Sequence, residues 1–151
     1  MPTGPALFAY DGSDGALRAL EQGAERLATR EAVVVCVWAS VERSAGLGRL
    51  ALPDEVTRQA VANLDAEAER EAQAVARQGA ELLREAGWDA TPRTRSTTTN
   101  AWAAILAVAE EAGASTIVTG SRGHGALKAT LLGSVSDGLA RHSPVPVLIA
   151  R

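Results

Sequence analysis

The chain has 151 residues, 46% of them hydrophobic and 22% charged, which suits one buried core and speaks against disorder or a membrane span. Its formal net charge of −3 supplies no overall positive field for a nucleic-acid backbone, so nucleic acid is not an expected partner. Residues 1–151 are read as one domain. Cys36 is the only cysteine, which excludes an intramolecular disulfide, and it lies in the apolar run Val33 to Trp38, where a thiol behaves as a small hydrophobe. Met1 to Tyr10 has neither a basic start nor a long apolar stretch, and no run approaches the roughly 18 apolar residues of a membrane helix. The expected location is the cytoplasm, with no membrane partner.

Ala6 to Tyr10 is a short apolar run that stops at Asp11-Gly12-Ser13-Asp14, a cluster of turn and capping residues, and reads as a buried strand entering a helix. Leu17, Leu20, Ala24, Leu27 and Ala28 then recur at helical spacing, predicting a first helix that ends near Arg30. Ala32 to Trp38 is continuous and valine-rich, the pattern of a strand covered on both faces in a parallel sheet. Ser40 to Pro53 has no periodicity and reads as a loop, to which no role is assigned. From Asp54 to Ala86 the chain is rich in Ala, Glu, Gln and Arg apart from Gly79, predicting a long helix stopped at Gly87. A coiled-coil arm is the alternative for this stretch, disfavoured because alanine fills most of the apolar stripe.

Trp88 to Ser96 is polar and suits an edge strand. Thr97 to Asn100 offers N-caps for a third helix carrying Trp102, Ile105, Leu106 and Ala109, closed by Gly113. Ser115 to Thr119 is a compact strand running into Gly120, Val135 and Leu139 suggest a short fourth helix, and Pro144 to Arg151 supplies a last strand. Strand and helix alternate and end on a fifth strand, which implies an α/β domain with a mostly parallel sheet and helices on both faces. In such a sheet a ligand sits outside the carboxyl ends of the strands, where the strand order reverses.

The fourth of those ends carries the most chemistry. Gly120-Ser121-Arg122-Gly123-His124-Gly125 is followed, after an apolar and basic stretch, by Gly133-Ser134-Val135-Ser136 at the head of a helix. Glycines let main-chain N–H groups approach an anion, and a helix N-terminus adds free donors and a favourable dipole. Ser134 and Ser136 add hydroxyls. Taken singly, each half is more often a flexible turn or an ordinary serine cap; together they form two sides of a phosphate cradle. A P-loop would need Lys then Ser or Thr after its last glycine, but Ala126 follows Gly125. The dinucleotide fingerprint would follow the first strand as G-x-G-x-x-G, where this chain has Asp11-Gly12-Ser13-Asp14-Gly15.

Gly120, Gly123, Gly133 and Ser134 fit the spacing G-2x-G-9x-G-S/T, and in this the chain resembles the nucleotide-binding members of the universal stress protein family. The Asp-Gly-Ser turn after the first strand, the valine-rich second strand and the terminal Pro-Val-Pro-Val-Leu extend the resemblance over nearly the whole chain. It implies a Rossmann-like fold of the adenine nucleotide alpha hydrolase type, a five-stranded parallel sheet in the order 3-2-1-4-5, and ATP, AMP or a related adenine nucleotide as ligand, often with Mg²⁺. It also implies site residues. Asp11, with Ser13 nearby, would face the ribose or polar end of the nucleotide; its alternative role is to cap the first helix. Val37 would meet the adenine edge through its main chain, although a valine in a strand is more commonly plain core. Gly120, Gly123, Gly133 and Ser134 would hold phosphates, with Val135 and Ser136 adding main-chain and hydroxyl donors. Thr98-Thr99-Asn100 replaces the Gly-Pro or Gly-Asp-Pro turn of many relatives, which leaves contacts on that side open.

Arg122, His124 and Lys128 lie in or near the glycine segment and could each reach a phosphate, although exposed loop cations are common. No catalytic constellation accompanies them: the other histidine, His142, falls near the end of the fourth helix, where a cation complements the dipole. No metal-ligand cluster is visible either, and Asp11 could hold Mg²⁺ only with help from phosphates. The leading expectation is a nucleotide-dependent regulatory or stress-response protein, and enzymatic activity is not expected beyond slow hydrolysis. A slow Mg-dependent ATPase and a nucleotide-independent interaction protein are the alternatives. The terminal strand, at a sheet edge, suggests a homodimer; Arg151 and the prolines would instead guard a monomer's edge.

Overall fold

The computed structural model describes residues 3–41, 54–123 and 132–151. In chain order it contains β1 (Ala6–Ala9), α1 (Asp14–Arg26), β2 (Glu31–Ala39), α2 (Glu55–Glu85), β3 (Asp89–Thr97), α3 (Ala101–Ala112), β4 (Thr116–Gly120), α4 (Ser134–His142) and β5 (Val147–Ala150). The strands form one five-stranded parallel sheet in the order β3-β2-β1-β4-β5, as expected. Leu7 of β1 is registered against Val33 on one side and Ile117 on the other, which fixes the centre of the sheet.

Successive strand side chains point to opposite faces, and each face has its own helices. Leu7, Val33, Val35 and Ile117 pack with Ile105 and Val108 of α3 and Leu139 of α4. Ala6, Phe8, Val34 and Val118 pack on the other face with Ala19 and Leu20 of α1 and Ala80 and Leu83 of α2. A strand covered on both sides has no polar alternation, which is why β2 reads as an unbroken apolar run. Fully burying a side chain such as Phe8, Leu7 or Ile117 contributes about 1.5–3 kcal/mol.

Gly79, a propensity defect within the long helix, has a packing role. A Cβ there would lie 2.8 Å from the Tyr10 ring and 2.9 Å from Val34, so the bare backbone lets α2 settle onto β1 and β2. The alanines Ala72, Ala76 and Ala80 continue the same close contact. Asp54 caps this helix by accepting from Thr57 N–H at 2.7 Å. Hydrogen bonds from Thr57, the main-chain one first, hold the Asp54 carboxyl below its usual value. The charged cap is therefore present above the ordinary carboxylate range and is lost as pH falls through the lowered value.

Most strand ends differ from the sequence reading by a residue, and three boundaries differ for reasons the packing explains. Helix α1 ends at Arg26, not near Arg30: Leu27 keeps a hydrogen bond to Gly23 but turns extended, and Arg30 Nη1 donates to the carbonyls of Leu27 and Thr29 at 2.7 and 3.0 Å. Leu27 kept the apolar rhythm because it still packs on the core after the helix has ended. Trp88 belongs to the helix stop rather than to β3. Gly87 takes φ +85 and donates to Arg84, while Trp88 N–H reaches back to Leu83, the paired bonds of a Schellman ending. The Trp88 ring then meets Phe8 edge-on at 5.6 Å, with Arg30 over its face at 5.1 Å. Finally β5 begins at Val147: Pro144 and Pro146 have no N–H, and the Pro146 carbonyl only accepts from Ile117.

Candidate functional site

A cleft of about 320 Å³ opens at the carboxyl ends of β1, β2 and β4. This is the point at which the sheet reverses, because the chain goes outward from β1 to β2 on one side and to β4 on the other. One end is apolar, walled by Ala9, Val35 and Val37 from the sheet and by Ala101 and Ile105 from α3. The other end is built from Asp11, Gly120, Arg122, Gly123, Gly133, Ser134, Val135 and Ser136. The long separation in sequence between Asp11, Val37 and Gly133 is bridged only by the parallel topology.

At the end of β1 the chain turns at Gly12, whose φ of +79 suits glycine. Asp11 Oδ1 accepts from Ser13 N–H at 2.9 Å, and Ser13 Oγ accepts from Ala16 N–H at 3.2 Å. Ser13 is thus the N-cap of α1, and Asp11 holds Ser13 in place from one step outside the helix. This corrects the capping role expected of Asp11. Ser13→Ala is expected to lower stability by about 0.5–2 kcal/mol in urea unfolding, the usual loss for a cap.

The glycines of the β4 exit do different things. A Cβ on Gly120 would lie 2.8 Å from the Gly15 carbonyl carbon and oxygen, so Gly120 allows β4 to pass the first turn of α1. A Cβ on Gly123 would lie 2.6 Å from Asp11 Oδ2, which brings this loop against the β1 turn. At Gly133 the nearest atoms would be 3.5 Å away, an ordinary contact, so the packing of the chain does not itself demand a glycine there. Gly133 is the N-cap of α4 without a side-chain cap, and the following N–H groups of the first turn lie at the cleft with no intrahelical acceptor. Ser134 is exposed, while Ser136 is buried, its hydroxyl donating to Ser121 O at 2.8 Å or Gly133 O at 3.1 Å.

The direction of the Val37 backbone follows from the pairing of β2. In a parallel strand the N–H and C=O of one residue point to the same side, and the side alternates along the chain. Val35 C=O accepts from Tyr10 N–H at 2.9 Å, so the odd-numbered residues of β2 face β1, whereas Ser40 N–H donates to Thr97 O on the β3 side. Val37 therefore presents its main-chain groups toward β1, but β1 ends at Ala9, opposite Val35. Those groups lie beyond the end of β1, and Val35, Val37 and Ile105 all line the cleft.

The neighbouring Cys36 and Tyr10 are not poised for chemistry. Burial, and then the charge of Asp11, pushes the Cys36 thiol up to about 11, and the same causes raise Tyr10 above its ordinary value. A thiol protonated at neutral pH is a poor nucleophile. His142 is also away from the cleft: it stacks on Trp102 with ring centroids 4.4 Å apart. Among the described residues no group of three or more His, Cys, Asp or Glu could hold a metal ion.

Of the sequence-derived site residues, Asp11, Val37, Gly120, Arg122, Gly123, Gly133, Ser134, Val135 and Ser136 line the cleft together. Ser13 is joined to it through Asp11. His124 lies outside the described residues, as do Lys128 and nearly all of the Ser40 to Pro53 loop. Sequence reasoning missed Ala9, Tyr10, Ala16, Val35, Ala101, Ile105 and Thr119, which complete the wall. Tyr10 and Thr119 adjoin Asp11 and Gly120 at strand ends, a signal that was present. Ala101 and Ile105 carry no signal beyond helical periodicity.

Fold and site together define a parallel α/β protein with a cleft at its topological switch point, apolar at one end and lined by glycines and serines at the other. The chain belongs to the universal stress protein family, whose model matches residues 3–151. No curated protein sequence matches it. Among solved structures, the universal stress protein UspA from Lactobacillus plantarum superposes with a TM-score of 0.75 at 17% identity, covering 100% of this chain and 99% of that one. The Archaeoglobus fulgidus universal stress protein in complex with dAMP gives 0.67 at 23% identity, covering 100% of both chains. A universal stress protein in complex with cAMP gives 0.62 at 22% identity, covering 100% of this chain and 99% of that one. At these identities the likeness shows the fold. Among the described residues no helix is long and apolar enough to cross a membrane.

Proposed function

We propose that this chain, as a single universal stress protein domain over residues 1–151, binds an adenine nucleotide such as ATP or AMP and belongs to the ATP-binding subgroup of its family. One observation carries the reading: Gly120, Gly123, Gly133 and Ser134, the positions of the G-2x-G-9x-G-S spacing, meet in one cleft with Asp11 and Val37. The base would enter the apolar end and use the Val37 N–H and C=O. Asp11, held with Ser13, would accept from ribose hydroxyls. The phosphates would lie on the loop and α4 first-turn N–H groups at Gly120, Gly123, Gly133, Ser134, Val135 and Ser136, with the Arg122 and His124 side chains supplying positive charge. The related structures solved with dAMP and cAMP support adenine nucleotides as the ligand class.

Mg²⁺ would take its ligands mainly from the phosphates, with Asp11 as the nearest carboxylate, since the described residues offer no ready-made cluster. The role that follows is regulatory, in the cytoplasm, with occupancy setting conformation or partner choice. Slow hydrolysis at the same site is the second reading, and a nucleotide-independent interaction protein the third. Mass spectrometry of freshly purified, denatured protein should release an adenine nucleotide; a molecule that neither carries nor takes up nucleotide contradicts the proposal. A turnover assay with Mg²⁺ then separates binder from ATPase.

We also propose that β5 makes a homodimer. Among the described residues it pairs only with β4, so its outer edge presents main-chain groups along Val147 to Ala150. An antiparallel pairing about a two-fold axis would close this edge without propagating. Light scattering is expected to give the mass of two chains at micromolar concentration, reduced by Val147→Lys or Leu148→Lys, which place a charge on opposite faces of the strand. A wild-type mass of one chain contradicts it.

A further inference from the structure

We infer that Ser136 is a positioning residue, a buried clasp that fixes the two roots of the glycine-rich segment at the spacing the phosphate end of the cleft requires. The inference deepens the nucleotide-binding reading and rests on it for its consequence, though not for its geometry. Ser136 is 2% exposed, in the first turn of α4. Its Oγ lies 2.8 Å from the Ser121 carbonyl oxygen, fifteen positions away in sequence, and 3.1 Å from that of Gly133. The same Ser121 carbonyl accepts from Gly133 N–H at 2.8 Å, while Ser121 N–H donates to Ala150 O on β5 at 2.7 Å.

One peptide group is therefore the anchor. On its N–H side it is tied to the sheet through Ala150, and on its carbonyl side it receives both the N-cap residue and a first-turn hydroxyl of α4. The hydroxyl has a single proton, and both acceptors within reach are protein carbonyls. If the hydroxyl is removed, Ser121 O loses one of its two donors. Gly133 and Ser134 would be the first residues to drift, and both line the cleft. In the sequence, Ser136 and Ser134 look alike as possible phosphate donors; in the fold one is buried and the other exposed. A hydroxyl that acted on the ligand instead would leave the ligand-free protein indifferent to its removal.

The test is amide hydrogen exchange on the ligand-free protein, followed by titration. In Ser136→Ala the Gly133 amide should exchange about tenfold faster, the scale of one lost hydrogen bond, while the Tyr10 amide in the sheet keeps its rate. Ser136→Thr, which retains the hydroxyl, should restore protection. Ser136→Cys, a weaker donor of similar size, should fall between and provides the reading if Ser136→Ala does not fold. Unchanged Gly133 exchange, or equal acceleration throughout the sheet, overturns the clasp. Calorimetric titration should then show Ser136→Ala losing about tenfold in ATP affinity with adenosine affinity unchanged. A protein that shows the exchange pattern but binds no nucleotide retains the clasp and refutes the nucleotide reading. Equal losses for ATP and adenosine would refute the clasp's role at the phosphate end.

Discussion

Gly123→Val is expected to weaken ATP binding by at least about 2 kcal/mol, roughly thirtyfold, because several charge-assisted hydrogen bonds depend on close main-chain approach. The substitution places a branched Cβ where the Asp11 carboxylate now lies, 2.6 Å from its Oδ2. Asp11 must then swing away, and both the β1 turn and the loop lose their arrangement around the same ligand. The global fold should survive, since Gly123 is exposed and the colliding atom ends a side chain rather than belonging to the backbone. Isothermal titration on the folded variant reads the effect. Unchanged affinity would remove this loop from the site.

Gly120→Ala should act first on stability. Its Cβ would press on backbone, the Gly15 carbonyl at 2.8 Å and Ala16 N at 3.2 Å, which cannot rotate aside as a side chain can. Overpacking of this kind costs about 1–3 kcal/mol, and urea unfolding should show it as a lower midpoint with an unchanged slope. Pushing α1 away from β4 also carries the Asp11 to Ser13 turn with it, so nucleotide affinity should fall together with stability. A variant as stable as the wild type would mean that β4 and α1 are not in this contact.

The contrast between these two glycines shows what the sequence could and could not express. Glycine spacing identified the segment, and the unbroken apolar run of β2 announced a strand covered on both faces. The strand order came from resemblance, because periodicity along a chain says nothing about which strands become neighbours. Within Asp11-Gly12-Ser13-Asp14 several side chains could cap a helix, and only the φ of +79 at Gly12 decides that Ser13 does so while Asp11 braces it. Gly79 looked like a defect in the long helix until Tyr10 and Val34 were found beneath it. Trp88 looked like the start of a strand because the Schellman bond to Leu83 depends on a turn that propensities do not encode. The two serines of Gly133-Ser134-Val135-Ser136 were equivalent in sequence and differ in burial. Each of these outcomes was set by contact with an element distant in the chain.

The central claim is that one cleft at the ends of β1, β2 and β4 receives an adenine nucleotide. The most direct measurement is an amide NMR titration of nucleotide-free protein with ATP. The account predicts saturable shifts at Val37, Gly123, Gly133 and Ser134, with the far ends of the strands, such as Ala6 and Glu31, unmoved. No shifts at millimolar ATP, or shifts confined to residues outside the cleft, would contradict it.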